Sequence, residues 1–162
     1  MGAFTLIEVL TVVILIGILS SLAYASFTDI IFTNRAKETA QTIRTFVEKS
    51  LADAKRQNKT VNIKFGGGNS RIEADIDGNV TSAAFSSGFS NSGGSPVSGI
   101  TKNYGTAGAT SIMRIGLSGI ADEGYFSVCG ARGYCGGAVK RSNENSFKAY
   151  IRKGTDKPWE AL

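Results

Sequence analysis

Hydrophobic and polar positions divide the chain into three kinds of stretch. From Phe4 to Phe27 almost every side chain is apolar and Glu8 is the only charge. A helix over 4–27 would be about 36 Å long, more than the ~30 Å hydrocarbon core of a bilayer. A secretory signal peptide would instead open with basic residues and end its apolar core at a small-residue cleavage site. Beyond Phe27, Ala36, Ala40, Ile43, Val47, Leu51 and Ala54 recur at spacings of three and four, and Arg35, Lys37, Glu38, Arg44 and Glu48 occupy the remaining surface. That period predicts an amphipathic helix over 28–58, continuous with the apolar one and ending around Gln57-Asn58-Lys59. The stripe covers only about three turns and strands follow directly, which favours packing on a sheet over a coiled coil.

Strict alternation replaces the helical period at Val61, Ile63 and Phe65, and again at Ile72, Ala74 and Ile76, with Gly66-Gly67-Gly68 between them. This predicts a hairpin, and Asp77-Gly78 predicts a second tight turn leading into Val80. From Ser82 to Gly108 the chain is rich in Ser, Gly, Asn and Ala with scattered Phe85, Phe89, Val97, Ile100 and Tyr104. So few apolar positions predict a long excursion with one irregular strand, too poor in apolar residues for a dense core. Regular strands are expected again near 112–117, 125–129, 137–141 and 146–152. A long helix followed by a run of strands is the α+β class: an N-terminal α-helix, its apolar half protruding, its C-terminal half packed on an antiparallel β-sheet head. The expected layout is a leader over 1–3, an apolar helix over 4–27 and a head over 28–162. Within that head the helix takes 28–58 and the β-rich part 60–157.

With 162 residues the chain can build one such head and not a second large domain. Mean hydropathy is near zero, but this average hides an oily first segment and a polar, Gly/Ser-rich remainder. Net charge is +5 and there is no histidine, the side chain most used as general acid, base or metal ligand near neutral pH. No catalytic, cofactor-binding or metal-binding set is expected, and the chain reads as non-enzymatic.

Cys129 and Cys135 enclose five residues, with glycines in and just after the loop, so their α-carbons can approach within disulfide range. Two cysteines without histidine cannot complete a closed tetrahedral zinc site. An oxidised pair in an exported head is therefore expected, contributing about 2 kcal/mol for so short a loop.

Glu8 is the unusual position. A carboxylate in an apolar helix costs on the order of 3 kcal/mol at the centre of a membrane. Two readings account for it: a carboxylate kept for a cationic partner such as an α-amino group, or one that sits near an interface and reaches water.

Ala3-Phe4-Thr5-Leu6-Ile7-Glu8-Val9-Leu10, followed by Val12 to Leu19, resembles the class III signal of type IV prepilins and type II secretion pseudopilins. The resemblance implies cleavage by a prepilin peptidase between Ala3 and Phe4 and N-methylation of Phe4. It also implies storage in the inner membrane with the head in the periplasm, and pairing of Glu8 with the new amino terminus of an adjacent subunit in a fibre. The chain has Ala3 where the family usually has glycine, and Ala25 where it commonly carries proline. The order of helix, strand, Gly-rich turn, Tyr125 to Cys129 and two closing strands is similar, more weakly, to the FimT/GspH family of minor pilins and pseudopilins.

In Ser146 to Arg152 alternation sends Phe147, Ala149 and Ile151 to one face and Lys148, Tyr150 and Arg152 to the other. With Lys140, Arg141 and Lys153 nearby, this is the densest positive stretch. It reads either as a solvated outer strand face or as a DNA-contacting surface on which Tyr150 stacks a base. Some FimT-like pilins bind DNA through a Gly-Arg-x-Arg motif, which the sequence here does not contain. Gly66-Gly67-Gly68 lacks the following Lys-Ser/Thr of a phosphate loop and reads as a turn. Glu73, Asp75 and Asp77 lack the spacing of a calcium loop and read as solvated carboxylates on a hairpin.

Overall fold

The computed structural model describes residues 5–104, 113–115 and 123–162; at positions 22, 23, 25, 26, 91, 92 and 113–115 only the backbone is described. Helix α1 runs unbroken from Leu6 to Gln57, 52 residues, or about 78 Å of rod. It stops where the sequence suggests. Asn58 takes the left-handed conformation at φ 55°, which asparagine tolerates better than most residues. The amides of Asn58 and Lys59 then close back on the carbonyls of Lys55 and Ala54 at 3.2 and 3.0 Å, so two of the four orphan carbonyls are satisfied.

The strands are β1 (Val61–Gly66), β2 (Arg71–Ile76), β3 (Asn79–Ala84), β4 (Asn91–Ser92), β5 (Met113–Ile115), β6 (Gly124–Cys129), β7 (Tyr134–Lys140), β8 (Lys148–Lys153) and β9 (Trp159–Ala161). They form two antiparallel sheets rather than the single sheet expected, ordered β3-β2-β1-β5 and β4-β6-β7-β8-β9. The two predicted turns are present, and their chemistry explains them. Gly67, Gly68 and Asn69 all lie at positive φ between β1 and β2, as do Asp77 and Gly78 between β2 and β3. A two-residue turn of that kind matches the twist of the flanking strands.

The amphipathic half of α1 packs on the second sheet. Ala36, Ala40, Ile43, Val47 and Ala54 are buried, and Leu51 is half-buried. Gly136 in β7 lets the helix come close, because a Cβ there would collide with the Ala36 carbonyl and the Ala40 amide of the helix backbone. Phe126 of β6 joins the two sheets. Its ring lies 5.6 Å from Phe65 of β1, 5.5 Å from Tyr104 and 6.5 Å from Phe147, and Phe85 meets Phe65 edge-on at 5.3 Å.

The segment after Ser82 differs from expectation. Phe85, Phe89, Ile100 and Tyr104 are all buried, and the excursion folds back over both sheets instead of remaining thinly packed. Backbone pairing secures it: the Tyr104 amide donates to the Tyr125 carbonyl at 2.9 Å and the Tyr125 amide to the Lys102 carbonyl at 3.0 Å. Gly124 leaves room for the Tyr104 ring, which a Cβ there would strike. Strand β7 begins at Tyr134 rather than 137, and β9 lies wholly beyond the β-rich range expected to end at 157. Of the strand expected over 112–117, residues 113–115 are described and pair with β1; the remainder lies outside the described residues.

Candidate assembly surface and its junction with the head

On the first half of α1, Leu6, Ile7, Val9, Leu10, Val12 to Ile16, Ile18 and Leu19 are all exposed, Leu6 to 85%. A helix apolar on every side is stable in water only when something covers it. Two hydroxyls on this half are satisfied by the helix itself: Thr11 donates to the Glu8 carbonyl at 2.9 Å and Ser21 to that of Ile18 at 2.8 Å. Such back-bonding removes their need for water in an apolar setting. The Glu8 carboxylate has no equivalent arrangement and no partner among the described residues. Gly17 is open on its outer side, so a neighbouring helix could approach the backbone there.

Among the described residues no helix is long and apolar enough to cross a membrane. Ala3 and Phe4, the expected processing site, lie outside the described residues.

The apolar half ends at a clamp built from the cysteine hairpin. Cys129 and Cys135 stand directly opposite each other on β6 and β7 and form the expected disulfide, with α-carbons 4.0 Å apart. The loop they close carries Arg132 at φ 58°, a conformation costly for a residue with a Cβ and held here by contacts with the helix. Its Nη1 lies 3.4 Å from Thr28 Oγ1 and 4.0 Å from Asp29 Oδ1, and its guanidinium sits 5.7 Å from the centre of the Phe32 ring. Phe32 stacks on Tyr134 at 5.5 Å. Burial raises the Tyr134 phenol above its ordinary pKa, and its hydrogen bond to the Asp29 carboxylate raises it further. Thr28, Asp29 and Phe32 thus mark the turn of α1 where solvent gives way to the head.

The disulfide also organises the far side of the sheet. Cys135, Arg152 and Trp159 are successive cross-strand neighbours on β7, β8 and β9. Arg152 lies with Nη2 3.1 Å from Cys135 Sγ and its guanidinium 5.5 Å from the Trp159 ring.

The basic stretch is distributed rather than gathered. The predicted alternation in β8 is correct, with Ala149 and Ile151 buried, Lys148 exposed, and Tyr150 and Arg152 between. Lys148 pairs with Glu144 at 2.7 Å, Lys153 pairs with Glu160 at 2.8 Å, and Arg152 is engaged as described. Tyr150 packs against the cluster of Ile100, Tyr125 and Val139. Arg141 is exposed, whereas Lys140 is buried and lies beside α1 at Leu51 and Lys55. Sequence reading missed Arg132 and Tyr134 as clamp residues, because their partners on α1 lie about a hundred positions away; a contact of that separation leaves no local pattern. Of the carboxylates on the β1–β3 meander, Glu73 pairs with Arg71 at 2.7 Å and Asp77 with Lys59 at 2.8 Å.

Compared with family models, with curated proteins and with solved structures, the chain finds no match in any of the three.

Proposed function

We propose that this chain is a non-enzymatic structural subunit of the type IV pilin class, a minor pilin or pseudopilin, assembled into a fibre through its N-terminal helix. The observation that carries this reading is one rigid helix with two finishes: a half apolar all round and uncovered, and a half whose narrow stripe is buried on the head. Hydrophobic burial against copies of the same helix covers the first half and holds the fibre together.

In this reading the apolar run of the sequence, Phe4 to Phe27, keeps the subunit in the inner membrane with its head in the periplasm. A prepilin peptidase cuts before Phe4, and the subunit then moves into the fibre without leaving apolar surroundings. Glu8 pairs with the new amino group of an adjacent subunit and sets the axial register. The lack of any partner for Glu8 among the described residues of its own chain supports that role. The engagement of Lys148, Tyr150, Arg152 and Lys153 within the head leaves a DNA-receptor role without a comparable supporting observation.

Glu8→Val tests the reading. The variant should remain in the membrane fraction at normal abundance while its incorporation into sheared fibres falls at least tenfold. Normal incorporation would remove the register role.

A further inference from the structure

Near the far end of α1, where Glu48, Leu51, Ala52 and Lys55 line one helix face, the head leaves an open cleft of about 250 Å³. Its opposite wall is Lys140 at the end of β7, together with Asn145, Ser146 and Phe147 leading into β8. Lys140 is the only charged residue buried among those described, with 7% of its surface exposed. Its ammonium, which has three donors, makes one hydrogen bond among the described residues, to the Arg141 carbonyl at 3.4 Å.

Among the described residues no carboxylate pairs with this charge. Glu48 is held by Arg44 at 3.3 Å and Glu144 by Lys148 at 2.7 Å. Glu123 accepts from the Ser142 amide and hydroxyl at 3.3 and 2.9 Å. A buried cation lacking an anion is costly, and here the deficit faces a cleft. The other walls narrow the chemistry. Lys55 adds a second ammonium, Asn145 and Ser146 add neutral donors, and Leu51, Ala52 and Phe147 add an apolar surface. The volume is below the usual range for drug-sized ligands. A phosphate would gain nothing from the apolar wall, and its higher charge would sit closer to the Glu48 carboxylate that Arg44 holds, whereas a singly charged carboxylate on a short aliphatic stem uses the ammoniums, the neutral donors and the apolar wall together.

We propose that this cleft binds a carboxylate carried on a short apolar stem, of the size and charge of a glutamate side chain, with Lys140 as its principal partner. The site does not depend on the assembly reading. Its ligand is either a free short-chain acid or an acidic residue of another polypeptide.

The test is an NMR titration of the full-length, isotopically labelled protein in detergent micelles. The probes are N-acetylglutamate amide, its uncharged glutamine counterpart, inorganic phosphate, and a short peptide with one internal glutamate. The glutamate probe should give saturable shifts at Lys140, Ser146 and Phe147, and the glutamine probe none. Lys140→Met should weaken binding at least tenfold, about 1.4 kcal/mol. Lys55→Gln, an exposed substitution that leaves the fold intact, should weaken it several-fold and supports the proposal even if Lys140→Met does not fold. Tighter binding of the peptide than of the free probe assigns the ligand to a polypeptide, and the reverse assigns it to a small acid. Absence of saturable shifts with glutamate, equal shifts with glutamine, or preference for phosphate would each overturn the proposal.

Discussion

The two halves of α1 share one backbone but not one surface pattern. Between Leu6 and Leu19 the side chains are apolar on every side and exposed, whereas between Ala36 and Ala54 they are apolar along a single stripe and buried. The second pattern satisfies itself inside one chain, because a narrow stripe needs one surface and the sheet supplies it. The first cannot, since no single head could cover a helix all round. Width of the apolar face therefore separates the part of the helix that builds the fold from the part that the single chain leaves exposed.

The largest effect expected from breaking this contrast comes from matched truncations. Ile43→Ala should destabilise the head by about 2–5 kcal/mol in denaturant titrations. Val13→Ala should change the same measurement by less than about 0.5 kcal/mol, since its side chain is exposed and has little burial in the single chain to lose. A comparable loss at both sites would mean that the first half is packed against the head after all.

A middle-sized effect is expected at the boundary between the halves. Replacing Cys129 and Cys135 by serine should cost about 2 kcal/mol of stability. It should also speed hydrogen exchange of α1 amides over residues 28–34 more than over 43–50, because Arg132 and Tyr134 hold that turn of the helix through the disulfide loop. Uniform acceleration along the helix would contradict the clamp.

The smallest effect is a pH dependence. Tyr134 has a raised pKa, so the fold favours the protonated phenol. Its contribution is fully present below the unfolded value near 10 and is lost as pH rises through the higher folded value. Between about pH 9 and 12 the wild-type denaturation midpoint should fall more steeply than that of Tyr134→Phe. Parallel curves would show that the phenol is not coupled to folding.

Sequence and structure agree where a local period or a single residue decides the outcome. The helix stop at Asn58, the β1–β2 hairpin, the Asp77-Gly78 turn, the alternation in β8 and the Cys129–Cys135 bridge all belong to that class. They diverge where packing is set by distant parts of the chain. Phe85, Phe89, Ile100 and Tyr104 follow no period, so their burial was invisible until Phe126 and Val139 stood beneath them. The ladder of Cys135, Arg152 and Trp159 depends on strand register. Lys140 looked like one more surface cation because the sequence does not reveal that it is buried in the wall of a cleft beside α1.

The central claim is that copies of the same helix cover the apolar half of α1. Thiol labelling of Ile14→Cys, in a background with Cys129 and Cys135 intact, measures this directly when assembled fibres are compared with detergent-dispersed subunits and with Lys37→Cys as an exposed control. The account predicts that Ile14→Cys reacts in dispersed subunits but is protected at least tenfold in fibres, while Lys37→Cys keeps more of its reactivity in both states. Equal labelling of the two positions in fibres, or no fibres containing this chain, would contradict it.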